Sequence, residues 1–135
     1  MTKQFEELER TPPERRALFQ MVEREVDAFL AWEHASMLPA QVAGIAVLSL
    51  HELGVVAEGR VVDWSTLRYD LVRERFPRVS LVHPWVAGSY LDVWVTWAHW
   101  LHAQGRIGAP DRERLLDEIV RGADRFMGDV AARFA

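Results

Sequence analysis

Apolar positions recur at spacings of three and four through most of this chain, the period of amphipathic helices. Leu18, Met21, Val22, Glu25, Phe29 and Trp32 form the first such stripe. Thr11, Pro12, Pro13 and Glu14 precede it as a capping box with prolines in the first turn. A helix from there to about residue 35 is expected. Around a second helix, residues 39 to 54, Val42, Ala43, Ile45, Ala46, Val47, Leu48, Leu50 and Leu53 cover most of the circumference. A helix apolar nearly all round belongs in the middle of a bundle. Asp63 then caps a third helix to about residue 76 with Trp64, Leu67, Leu71 and Val72 inward, and Pro77 ends it. Residues 55–62 read as a short β-hairpin turning at Glu58-Gly59, or as an irregular connection.

The richest pattern runs from residue 83 to residue 105. Pro84 suits the first position of a helix and Gly105 the left-handed residue past its end. At about 100° per residue, Val86, Tyr90, Val93, Trp94, Trp97, Trp100 and Leu101 share one face. Four of the six tryptophans lie in this stretch. The opposite side carries Ser89, Asp92, Thr96, His99 and His102. After a loop at 105–110, Asp111 is expected to cap a last helix with Leu115, Ile119, Ala123, Phe126 and Val130 inward.

These elements predict an all-α fold, a single-domain bundle of about five helices over residues 1–135. Residues 1–10 are expected as a solvated, frayed lead-in, and 55–62 is the one place for β-structure. At 135 residues the chain fits one domain. No internal repeat, linker or low-complexity stretch divides it.

Composition narrows the function classes. The net charge is −4, which gives no general attraction to nucleic acid or anionic lipid. Arginines 68, 73, 75 and 78 fall close together and are the one local exception. There is no cysteine, so disulfides, thiolate metal sites and a cysteine nucleophile are excluded. The acidic start of the chain does not read as a secretory signal. Its longest apolar-rich run, residues 38–50, is shorter than the ~20 residues a membrane span needs. A cytoplasmic location without a membrane partner is expected.

Two places could hold chemistry. Glu25 interrupts the first apolar stripe, and a buried carboxylate is costly unless hydrogen-bonded, ion-paired or protonated. It therefore calls for a histidine, arginine or tyrosine hydroxyl from another helix, unless a slight helix rotation brings Val26 inward instead. The second place is the seam Asp92, Thr96, His99 and His102, whose consecutive members are helical neighbours. Two histidines at i, i+3 can share a metal, with carboxylates from facing helices completing the set. A divalent ion at His99, His102, Asp92 and Glu25 is that expectation; the plain alternative is a solvated or interfacial face.

No phosphate loop, dinucleotide fingerprint, nucleophile elbow or His-Glu-x-x-His occurs, which weighs against an enzyme. No organic cofactor is expected. The leading expectation is a non-catalytic helical interaction or regulatory module that binds a protein partner or pairs as a homodimer. Trp85, Thr96 and Trp32 would form its interaction surface. A small metal- or ligand-binding protein is the alternative, and nucleic-acid binding through the arginines a lesser one.

Overall fold

The computed structural model describes residues 13–54, 63–80 and 82–133. Six α-helices occupy them: α1 (Pro13–Leu30), α2 (Ala40–Ser49), α3 (Tyr69–Val79), α4 (Pro84–Ala103), α5 (Ala109–Arg121) and α6 (Ala123–Ala132). A 3₁₀ turn (Glu33–Ala35) joins α1 to α2, a π-helical turn (Leu50–Gly54) extends α2, and a 3₁₀ turn (Trp64–Thr66) precedes α3. The fold is all-α, with no strand among the described residues. The hairpin expected at 55–62, the lead-in at 1–10 and the cap at Thr11 and Pro12 lie outside those residues.

α4 is the axis of the bundle. It buries Ala87, Tyr90, Val93, Trp94, Trp97, Ala98, Trp100 and Leu101, and α2, α5, α6 and the 33–35 turn pack against it. Large rings fill the space between helices edge to face, the arrangement their quadrupoles favour. Phe29 of α1 meets Trp97 at 5.0 Å and Trp100 at 5.6 Å, centroid to centroid. Trp64 meets Trp97 at 5.3 Å, while Phe76 and Phe126 flank Trp94 at 5.4 and 5.1 Å. These tryptophans are scaffold, as the helical wheel indicates.

Several boundaries differ from the sequence pattern, each for a local reason. α1 stops at Leu30 because Trp32 turns extended, with φ −72° and ψ 133°. Asp63 does cap, but its carboxylate takes bonds from the amide and hydroxyl of Ser65 and closes a single 3₁₀ turn. Leu67 then goes extended and α3 starts only at Tyr69. Pro77 sits inside the last turn of α3 without ending it, and the helix runs on to Val79. Gly108, upstream of Asp111, caps α5. The last helix is two helices, broken at Gly122, where a β-carbon would sit 2.8 Å from Cδ of Arg73. Six helices therefore replace five.

α2 is not central. It buries Ala43, Ala46 and Val47 against its neighbours, but Gln41 is exposed and Ile45 is 47% exposed. Two side chains bond carbonyls at its end: Ser49 Oγ donates to Ile45 O (2.8 Å) and Trp94 Nε1 to Ala46 O (3.1 Å). Extra donors on these carbonyls favour a wider turn, and the π-helical turn begins at the next residue. Gly54 closes it against α3, where a β-carbon would meet Val72 Cγ2 at 2.6 Å. The outcome is that His51 points into the protein.

Candidate functional site

His51 is one of two buried polar residues, the other being Ser49, among the described residues. Its Nε2 donates to Oε2 of Glu25 at 3.2 Å, with side-chain exposures of 2% and 17%. Oε1 of Glu25 accepts from Nη2 of Arg106 at 2.6 Å. The Arg106 guanidinium lies 5.9 Å from the ring centroids of both Trp64 and Trp100, within cation–π range. Trp64 also meets the His51 ring edge to face at 4.7 Å. Burial works to raise the pKa of Glu25. The hydrogen bonds from His51 and Arg106, with their charges, outweigh it and hold the carboxyl below its usual range. Glu25 is therefore a partnered anion, half-buried beside Val26, which is also buried. It received two of the partner types its position called for.

This cluster joins α1, the π-helical turn and the loop after α4, and its chemistry is used internally. Both carboxylate oxygens and the inward nitrogen of His51 are engaged with one another. A substrate would have to displace a protein partner to reach Glu25.

An open site lies elsewhere, on the back of α4. There the 33–35 turn, α4 and α5 enclose a groove of about 410 Å³ lined by Trp32, His34, Thr96, His99, His102, Ala103 and Arg112. Each wall follows from local structure. The extended Trp32 places its indole over the groove with His34 against it, ring centroids 4.6 Å apart. Thr96, His99 and His102 fall at spacings of three on α4. Gly105 has φ +71° and turns the chain back, which brings Ile107 beside His102 and Arg112 onto the opposite wall. His102 Nδ1 donates to the Ile107 carbonyl at 3.3 Å, and the Thr96 hydroxyl to the Asp92 carbonyl at 2.7 Å. Desolvation first, then the positive charge of Arg112 and the neighbouring His102, depress the pKa of His99. The lining contains three imidazoles, a guanidinium and an indole, and no carboxylate.

The expected site residues divide accordingly. Trp32, Thr96, His99 and His102 come together in the groove. Asp92 is exposed and bounds no part of it, and Glu25 belongs to the buried cluster. Among the described residues no three His, Asp or Glu side chains converge to hold one metal ion. Trp85 is 81% exposed and stacks on His83 at 4.0 Å, in the first turn of α4. The arginine run also divides: Arg68 closes on Asp70 at 2.8 Å, Arg73 on Asp129 at 3.2 Å and Arg78 on Glu74 at 3.5 Å. Arg106 and Arg112 were not foreseen. A wheel relates residues on one helix, and both of these lie beyond the end of α4.

Comparison with known proteins finds no family model, no curated protein and no solved structure that matches this chain.

Proposed function

We propose that this chain is a non-catalytic helical interaction module that binds an acidic segment of a protein partner in the groove behind α4. The observation that carries the reading is the composition of the groove: Arg112 and three histidines with no carboxylate, on a chain whose net charge is −4. Such a lining complements carboxylate side chains and disfavours cationic or zwitterionic surfaces. Trp32 supplies an aromatic wall of the kind that anchors interfaces. No described helix is long and apolar enough to cross a membrane, and the reading places the module in the cytoplasm.

A fluorescent oligo-glutamate peptide titrated at low salt tests this by anisotropy. Saturable binding is expected, weakened about tenfold by Arg112→Ala and by Trp32→Ala, the scale of losing one charge-assisted bond or one aromatic anchor. A flat titration, or binding that neither substitution changes, overturns the reading. Light scattering on the same sample addresses the rival occupant. A dimer that Trp32→Ala and Thr96→Arg dissociate would assign the groove to a second copy of the chain.

A further inference from the structure

A second concavity, of about 560 Å³, lies between α3 and α6. Arg73, Glu74 and Arg78 line it from α3, Arg125 and Asp129 from α6, and Arg133 from the residue that caps α6. We propose that this cleft binds a short oligophosphate group. The proposal is independent of the groove behind α4.

The charges in the cleft are unevenly matched. Four guanidinium groups face two carboxylates, and each carboxylate already has a partner: Asp129 with Arg73 at 3.2 Å, Glu74 with Arg78 at 3.5 Å. Arg125 and Arg133 are the surplus. Among the described residues Arg133 reaches only the backbone carbonyl of Arg78, at 3.4 Å, and Arg125 has no ion pair. Arg78 and Arg133 lie at helix C-termini, where cations complement the macrodipole. Arg125 lies in the first turn of α6, where the macrodipole disfavours a cation.

The cleft is also partly preorganised. Arg73 is 16% exposed and its stem lies against Gly122, at the break between α5 and α6. Arg125, Asp129 and Arg133 succeed each other at intervals of four along one face of α6, so the two surplus cations stand about 12 Å apart along the helix. An anion with several charges in a row fits that spacing better than a single carboxylate. Guanidinium forks match phosphate oxygens in pairs, a geometry a lysine cleft would lack. The overall charge of −4 and the small local surplus favour a short phosphate chain over a long nucleic acid.

Calorimetric titration of the full chain with inorganic triphosphate, and separately with ATP, tests the site. Saturable one-to-one binding is expected, weakening as salt rises from roughly 50 to 200 mM. Arg125→Gln with Arg133→Gln should weaken it about tenfold or more while leaving the circular dichroism and melting temperature close to wild type. Arg125→Lys, which keeps the charge but loses the fork, should fall between the two. Equal affinities for the two ligands would identify free oligophosphate as the source, and a markedly tighter ATP a nucleotide. Trp32→Ala should bind triphosphate as the wild type does, which separates this site from the groove. Absence of saturable binding, indifference to the double substitution, loss of binding in Trp32→Ala, or binding of a single-stranded oligonucleotide in place of triphosphate each overturns the proposal.

Discussion

Glu25 and His51 stand 26 positions apart in the chain and 3.2 Å apart in space, and the second oxygen of the same carboxylate takes a 2.6 Å bond from Arg106. One side chain thus fixes α1 to the π-helical turn and to the loop that follows α4. A polar group placed in an apolar stripe specifies register, because any slip of α1 would bury it without partners.

Removing that carboxylate is expected to be expensive. Glu25→Ala leaves the His51 donor buried and unpaired, which costs about 3 kcal/mol of unfolding free energy. Arg106 is one-third exposed and can rejoin water, so Arg106→Ala should cost about 1 kcal/mol. Urea denaturation of the two variants measures both. A larger loss from Arg106→Ala than from Glu25→Ala would refute the idea that the buried pair is the anchor.

The same pair makes stability depend on acid. The folded pKa of Glu25 lies below the ordinary 4.5. Its contribution is therefore complete above pH 4.5 and is lost as pH falls through the lower folded value, where the bound carboxylate takes up a proton. Glu25→Gln should flatten this part of the curve, since an amide does not titrate. Melting temperatures of both proteins across pH 3 to 6 decide it; parallel curves would show that other carboxylates carry the acid sensitivity.

How much of this was legible in the sequence varies with range. Most of the core face of α4 could be read, because Tyr90, Val93, Trp94, Trp97, Trp100 and Leu101 follow one period within one segment; Val86 is only half-buried, and Ala87 and Ala98 are buried besides. Glu25 could be flagged as an anomaly, since an acid in an apolar stripe is visible locally. The choice of His51 was not visible. It depends on the π-helical turn, which begins just past the carbonyls bonded by Ser49 and, across 48 positions, by Trp94. The groove was half legible: His99, His102 and Thr96 lie on one helix, whereas Arg112 arrives through the turn at Gly105. Expecting α2 to be central failed because periodicity reports how apolar a helix is, not how many neighbours surround it. Ile45 stays outside.

Glycines separate close approach from mere helix weakening. At Gly54 a β-carbon would meet Val72 Cγ2 at 2.6 Å, Leu67 Cδ1 at 2.7 Å and the Arg68 carbonyl at 3.2 Å. Gly54→Ala is expected to destabilise by about 2 kcal/mol, since the carbonyl belongs to the backbone and cannot swing away. At Gly44, inside α2, nothing lies within 4 Å. Gly44→Ala should instead stabilise by about 0.5–1 kcal/mol through helix propensity. Chemical denaturation that ranks the two in the opposite order would contradict the packing around the π-helical turn.

Binding in the groove behind α4 should itself depend on pH. Burial, Arg112 and His102 hold His99 below its ordinary pKa of 6.5, so it is neutral in the free protein at pH 7. An acidic segment seated beside it opposes those effects and raises that pKa. Binding then takes up protons, and affinity must increase as pH falls. Any protonation of the peptide's glutamates towards about pH 5.5 would weaken binding, so tightening in this window belongs to the protein. The oligo-glutamate peptide is expected to bind about threefold tighter or more at the lower pH. His34, beside Glu33 at 3.4 Å, and His102, bonded to the Ile107 carbonyl, line the same groove. His99→Gln separates them, because it keeps a polar side chain and removes one titration. Its pH dependence should be shallower than that of the wild type. Equal slopes in the two proteins would take the proton uptake away from His99, and a flat wild-type profile would remove the histidines from recognition altogether.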